Sequence, residues 1–286
     1  WEAIPESDAL FRCDQFLFAA RDNSEIHDAL LSLAKRMKFL QSGFAGMDAP
    51  ILQDVLKIEN VHIANASSVY AIPIAHYVFS QILRWNKRID HHIEYQQSKN
   101  WSPVAGDGEL TNKTLVILGY GGIGRQVAKL GKVFGMRVTG VRRNPQDDEY
   151  ADEVLGLDQF EELLPLTDYL VLALPDSSKT RDIINADILE KLNSSAMLIN
   201  VGRGTAINEE DLTNALNDGK IAAAALDTTK VEPLDANSSL WTAKNCFISA
   251  HDSAHSLLSL ERAFELFFQN IKNIKNGDQI VNLYSE

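Results

Sequence analysis

An apolar run, Leu115-Val116-Ile117-Leu118, leads directly into Gly119-Tyr120-Gly121-Gly122-Ile123-Gly124, after which Ile123, Val127, Leu130 and Phe134 recur at helical spacing until Gly135. A short apolar run reads as a buried strand, a 3.6-residue period as a helix, and a glycine just past the last periodic position as its stop. Strand, turn and helix joined by G-x-G-x-x-G admit few folds. The first glycine permits the tight turn, the second lets backbone approach a pyrophosphate, and the third lets helix and strand pack closely. The helix N-terminus then meets the phosphates with its unsatisfied N–H groups. Gly119, Gly121, Gly122, Ile123 and Gly124 are therefore candidate dinucleotide-binding residues, although such a turn also occurs simply as a turn and in some methyltransferases.

The same alternation continues along the chain. Further buried strands are expected at 137–141, 169–174, 197–201, 222–226 and 246–249, with helices between several of them, such as 209–217 with Asn208 as N-cap and Gly219 just past its end. Strands alternating with helices predict a parallel sheet covered on both faces. A second series precedes this one, with strands at 15–19, 38–41 and 61–64 and a helix at 24–35, and the helix-like stretch 72–97 joins the two. After the last strand, Leu257, Leu260, Phe264, Phe267, Ile271 and Ile274 trace an amphipathic helix that returns the chain to the first domain. A chain of 286 residues is too long for one ordinary core. The expected architecture is α/β: two Rossmann-like or flavodoxin-like domains with doubly wound parallel sheets and a cleft between them. Residues 1–79 with 254–286 form the expected substrate domain, and 80–253 the dinucleotide-binding domain.

Charge and composition narrow the partners. Acidic side chains outnumber basic ones 39 to 27, a formal charge of -12, which is the wrong sign for a general nucleic-acid or anionic-membrane binder. The longest apolar runs, 169–175 and 221–226, fall far short of the roughly 20 residues of a membrane helix, and no basic-then-apolar leader opens the chain. Cys13 and Cys246 are too few for a disulfide framework and suit a reducing compartment, so a soluble cytoplasmic protein is expected. His91-His92 reads as solvated surface, and no metal site is expected.

In an NAD-preferring site the second strand ends in a carboxylate that accepts from the ribose 2′-hydroxyl. Here the strand at 137–141 runs into Arg142-Arg143. Two guanidinium groups suit a 2′-phosphate, which arginine holds by charge-assisted, often bidentate hydrogen bonds. NADP is thus the expected cofactor and NAD the alternative; the competing explanation is a solvated basic turn.

With Leu198-Ile199-Asn200-Val201-Gly202-Arg203-Gly204 the sequence resembles the D-isomer-specific 2-hydroxyacid dehydrogenase family, which includes glyoxylate/hydroxypyruvate reductases, D-lactate dehydrogenases and 3-phosphoglycerate dehydrogenase. The resemblance spans almost the whole chain and rests on motifs in the family's order. These are Ser42-Gly43-Phe44-Ala45-Gly46-Met47-Asp48, the glycine turn, the Asn-Val-Gly-Arg-Gly segment, Leu226-Asp227 followed by Glu232-Pro233-Leu234, and a late histidine. It implies catalytic roles for Arg203, Glu232 and His251 and cofactor contacts from Pro175 and Val201. It also implies that Asp227 receives the nicotinamide carboxamide, that backbone N–H groups of Phe44, Ala45 and Gly46 receive the substrate carboxylate, and that a homodimer forms through the cofactor domains.

The chemistry makes independent sense of the three catalytic candidates. Reducing a 2-keto acid puts hydride on the carbonyl carbon while negative charge grows on its oxygen, so the site needs a cation and a proton donor. Arg203 and His251 each follow a strand, at the carboxyl edge where open parallel sheets bind ligands. A planar guanidinium grips carboxylate and carbonyl together, and an imidazolium oriented by Glu232 donates the proton. Each has a plain rival: Arg203 as a turn cap or surface ion pair, Glu232 as a solvated loop carboxylate, and His255 in place of His251.

The sequence also departs from the family's pattern. Ser249-Ala250-His251 stands where Thr-Pro-His is usual, followed by Asp252, a charge that would raise the histidine's pKa or pair elsewhere. His76 stands where Glu is common, and in a chain that opens on Trp1 the first domain is expected to lack the family's opening strand and helix. The expected function is reduction of a small 2-keto acid, of glyoxylate or hydroxypyruvate type, to the D-2-hydroxyacid with NADPH. The alternatives are a D-lactate-like or broad D-2-hydroxyacid dehydrogenase and a non-enzymatic NAD(H)-sensing corepressor-like scaffold. Tyr70 and Trp101 are candidates to overlie the substrate.

Overall fold

The computed structural model describes residues 9–12, 23–47, 49–104 and 108–284. In chain order its elements are β1 (Ala9–Arg12), α1 (Ser24–Ala34), β2 (Phe39–Ser42), α2 (Pro50–Leu56), β3 (His62–Ala64), α3 (Ser67–Asn86), α4 (Ile89–Gln97), β4 (Thr114–Leu118), α5 (Gly122–Val133), β5 (Arg137–Val141), β6 (Glu153–Leu155), α6 (Phe160–Leu163), β7 (Tyr169–Leu172), α7 (Ala186–Lys191), β8 (Met197–Asn200), α8 (Glu209–Asn217), β9 (Ala223–Leu226), β10 (Cys246–Ile248) and α9 (Ser259–Asn276). Packing divides the chain into two units, one running up to Tyr70 and resuming at His255, the other Ala71–Ala254. The sequence put the first boundary at 79; it falls inside α3 because the later turns of that helix pack on the second unit, where Phe79 stacks on Phe134 with ring centroids 5.1 Å apart.

The first unit carries a parallel sheet in the order β1-β2-β3. Asn23 starts α1 by accepting from the N–H groups of Glu25 and Ile26, and the apolar face of that helix joins Leu40, Ile51, Leu52, Val55 and Ile63 in a buried core. Returning α9 seats fully buried Asn270 against Gln41 of β2, with Asn270 Nδ2 donating to Gln41 Oε1 at 2.8 Å. The strand expected at 15–19 lies outside the described residues, and a strand that the sequence did not suggest, β1, pairs with β2.

The second unit holds a seven-stranded parallel sheet in the order β10-β9-β8-β7-β4-β5-β6. Every residue of β7, β8 and β9 is buried, as expected where helices cover both faces. Chain order reverses beside β4, whose neighbours are β5 on one side and β7 on the other. Open α/β sheets bind ligands in the crevice at the carboxyl ends of such a strand pair. Two expectations need correction. The helix expected at 72–97 starts earlier, at Ser67, because α3 runs through Pro73, a residue that ordinarily breaks helices, and it stops at Asn86 because Arg88 turns left-handed (φ 53°) before α4. Strand β6 was not anticipated, since it is three residues long and only Val154 in it is buried.

Candidate active site

The glycine turn is shaped by contact. Gly119 has φ 101°, and a Cβ there would stand 2.6 Å from the Ala173 carbonyl oxygen where the chain leaves β7. At Gly124 a Cβ would meet the Gly119 carbonyl oxygen at 2.8 Å, so helix and strand approach too closely for any side chain. Gly121 and Gly122 differ: a Cβ on either would meet nothing within 4 Å, and no side chain caps the start of α5. Open space in front of uncapped helical N–H groups fits a pyrophosphate. Tyr120, which sequence reasoning passed over, lies buried against Gly140 of β5, where a Cβ would come within 2.4 Å of its ring. Its hydroxyl donates to Asp148 Oδ1 at 3.1 Å.

Arg142 and Arg143 follow β5 and are exposed. Neither has an ion-pair partner among the described residues, whereas nearby Arg125 is held by Asp148 at 2.6 Å and Glu149 at 2.7 Å. Two unneutralised guanidinium groups at the end of the second strand are what a 2′-phosphate requires. Pro175 is exposed just past β7, and Val201 is buried just past β8.

Arg203 owes its position to the glycines beside it. A Cβ on Gly202 would stand 2.7 Å from the backbone of Leu174, and one on Gly204 would stand 1.9 Å from the Thr229 carbonyl carbon. The segment is therefore wedged between the chains leaving β7 and β9. Fully buried Asn200 closes the turn, its Oδ1 accepting from Gly202 N–H and its Nδ2 donating to the Arg203 carbonyl. Arg203 itself donates from Nη1 to the Gly202 carbonyl at 3.0 Å.

His251 pairs through Nδ1 with Glu232 Oε2 at 2.8 Å, and Glu232 Oε1 accepts from Thr229 N–H at 3.1 Å. Bonded through Nδ1 to a carboxylate, the ring keeps Nε2 for a substrate. The hydrogen bond to Glu232 and that residue's charge raise the histidine's pKa, helped by Asp227 and opposed by burial and by Arg203. Burial pushes the Glu232 carboxyl upward, but His251, the Thr229 N–H and Arg203 outweigh it and hold the pKa below its ordinary value. His255 is exposed and pairs with no carboxylate among the described residues, so the pairing with Glu232 favours His251 as the candidate acid. His76 is an exposed residue of α3.

Asp227, expected as a cofactor contact, is the centre of a hydrogen-bond cluster. It is buried, and its carboxylate accepts from Ser249 Oγ at 2.7 Å, Asp252 N–H at 3.0 Å, Ser253 N–H and Ser253 Oγ, while its carbonyl accepts from His251 N–H at 2.9 Å. The loop that carries the histidine is wrapped around this one side chain. Asp252 joins it through its main chain.

In the first unit, the Phe44 N–H is committed to Ser42 Oγ at 3.2 Å, which leaves the N–H groups of Ala45 and Gly46 without an acceptor among the described residues. Tyr70 uses its hydroxyl on the Gly43 carbonyl at 2.6 Å, so it braces this loop. Trp101, by contrast, is fully exposed in the second unit.

Comparison with known proteins follows the same lines. The NAD binding domain of the D-isomer specific 2-hydroxyacid dehydrogenases matches residues 79–253. A glyoxylate reductase from Aeropyrum pernix is 31% identical over 265 residues, 89% of this chain and 78% of its own. A crystal structure of a D-isomer specific 2-hydroxyacid dehydrogenase family protein from Aeromonas salmonicida is 30% identical, covers 99% of this chain and 87% of its own, and superposes with a TM-score of 0.80. Another, a D-isomer specific 2-hydroxyacid dehydrogenase from Xanthobacter autotrophicus in complex with NADPH and MES, is 27% identical with a TM-score of 0.75, covering 87% of this chain and 78% of its own.

Proposed function

The chain belongs to the D-isomer-specific 2-hydroxyacid dehydrogenase family, and we propose that it reduces a small 2-keto acid of the glyoxylate or hydroxypyruvate type to the D-2-hydroxyacid, preferring NADPH. The observation that carries this reading is the His251–Glu232 pair within the electrostatic reach of Arg203. When bound, the reduced nicotinamide supplies hydride to the carbonyl carbon. Arg203 grips the substrate carboxylate and the carbonyl oxygen, stabilising the charge that grows there. His251, whose charged form is favoured by Glu232, delivers the proton from Nε2 to that oxygen. The Ala45 and Gly46 N–H groups are the proposed receptors of the substrate carboxylate. The turn Gly119–Gly124 and the N-terminus of α5 would hold the pyrophosphate, Arg142 and Arg143 the 2′-phosphate, and Pro175, Val201 and Asp227 the nicotinamide end.

The glyoxylate reductase of Aeropyrum pernix supports the substrate class, and the NADPH in the Xanthobacter protein supports the cofactor. The reading extends to a cytoplasmic homodimer through the nucleotide-binding unit, supported by the exposed apolar side chains Ile89, Ile93 and Trp101. Steady-state rates for glyoxylate, hydroxypyruvate, pyruvate and bulkier keto acids, each with NADH and NADPH, test it. The smallest keto acids with NADPH should give the highest kcat/KM. Best turnover on pyruvate would favour a D-lactate-like enzyme, and cofactor binding without turnover of any keto acid would favour a sensing scaffold.

A further inference from the structure

The loop that presents His251 has little of the support that holds the rest of the site. The strand before it, β10, is a three-residue sheet edge with no fully buried residue, and Ala250, His251 and Asp252 are all exposed. His251 sits at φ 54°, a conformation that non-glycine residues rarely adopt unless their surroundings impose it. What surrounds it is the Asp227 carboxylate, and behind that carboxylate stands one more side chain. Tyr77 of α3 places its hydroxyl 2.7 Å from Ser249 Oγ, whose own contact with Asp227 Oδ1 is also 2.7 Å.

Hydrogen counting gives this chain a direction. A carboxylate only accepts, so the single Ser249 hydroxyl hydrogen goes to Asp227, and Tyr77 must be the donor to Ser249. The phenol is suited to that role: burial, reinforced by the charges of Asp227 and Asp252 and opposed by Arg84, pushes its pKa up to about 12, so it keeps its proton. The helix behind it is firmly seated. Val78, Phe79 and Ile82 of α3 are buried, and Arg84 lies over the ring of Phe247 in β10, 3.9 Å from its centroid. Helix α3 thus holds the root of the loop at two points, by a cation–π contact at Phe247 and by the hydroxyl chain at Ser249.

We propose that Tyr77 is a positioning residue for His251, acting through the directed chain Tyr77–Ser249–Asp227 to fix the loop that sets the imidazole against Glu232. This inference rests on the assignment of His251 as the proton donor. The charged groups that face the imidazole are Glu232, Asp227 and Arg203, and those that face Tyr77 are Asp227, Asp252 and Arg84. Loosening the loop lengthens the contact with Glu232, the chief group that raises the histidine's pKa.

The experiment compares wild type, Tyr77→Phe, Ser249→Ala, Ser249→Thr and the double variant Tyr77→Phe/Ser249→Ala. Two readouts are used: kcat and KM for glyoxylate with NADPH, and NMR titration of the His251 ring protons, identified by their loss in His251→Gln. Tyr77→Phe should lower kcat about fivefold, the effect of one neutral hydrogen bond, with the KM for NADPH unmoved. The His251 pKa should fall toward its ordinary value in Tyr77→Phe and in Ser249→Ala, and no further in the double variant, because both single changes break the same chain. Ser249→Thr, which keeps the hydroxyl, should recover most of what Ser249→Ala loses. An unmoved His251 titration in Tyr77→Phe, or additive effects in the double variant, would overturn the proposal. The titration needs no turnover, so a protein that reduces no keto acid refutes the reductase reading while the positioning role is still decided by NMR.

Discussion

The glycine turn and the histidine loop sit at the carboxyl edge of one sheet yet are held by different forces. The turn is fixed by close packing: buried strands lie on either side, and any side chain at Gly119 or Gly124 would run into backbone. The histidine loop is fixed by hydrogen bonds that converge on Asp227 at the sheet's edge. Packing tolerates little change in volume but is indifferent to protons. A polar hub tolerates exposure but depends on charge and on every donor being in place. The division suits the proposed chemistry, in which the turn would hold phosphates and so be rigid, and the histidine would give up a proton and so respond to its surroundings.

If that contrast is right, the largest effect on stability belongs to the turn. Gly119→Ala meets backbone at 2.6 Å and a left-handed φ together, and should cost about 3 kcal/mol, roughly 6–12 °C in Tm by calorimetry. A loss of under about 1 kcal/mol would mean that the turn yields and is not fixed by packing.

His251→Gln should do the reverse. Its Tm should stay close to wild type, as for most exposed positions, and NADPH should bind as before, while the reduction rate falls by about 100-fold or more, the usual contribution of a general acid. His255→Gln should change little; the opposite pattern would move the acid to His255.

Arg142→Asp removes a favourable charge and adds a repulsive one. NADPH should weaken by at least roughly tenfold in kcat/KM, with NADH spared, because a charge-assisted hydrogen bond contributes about 1.5–3 kcal/mol. The wild type's preference should also fade with added salt, since both arginines are exposed. A wild type that prefers NADH would make the arginine pair a solvated turn.

How far the sequence could be read follows the same division. Strands β4, β5, β7, β8 and β9 are legible to within two residues because burial on both faces writes them as apolar runs. Helix α8 is legible because Asn208 caps it, accepting from Asp211 N–H. Strand β6 is too short to carry a period, and Pro73 hides the true start of α3. Of the candidate site residues, Arg203, Glu232 and His251 stand in motifs and could be named. The hub could not: Tyr77 and Ser249 meet across 172 residues, and Ser249 and Asp227 across 22, with no periodicity to connect them. Tyr120 went unnoticed for a related reason, since its importance lies in Gly140, which a strand pattern treats as a weak position.

The pH profile of glyoxylate reduction, measured as kcat/KM with NADPH for wild type and Glu232→Gln, tests most directly whether a carboxylate-held imidazolium delivers the proton. The acid must be charged, and Glu232 raises its pKa, so activity should be full at low pH and decline only as pH rises through a value above that of an ordinary histidine. Glu232→Gln removes the main source of that elevation, and the alkaline decline should move to lower pH as the rate falls. A profile without an alkaline decline, or one whose decline stays in place in Glu232→Gln, would contradict the assignment of His251 and Glu232.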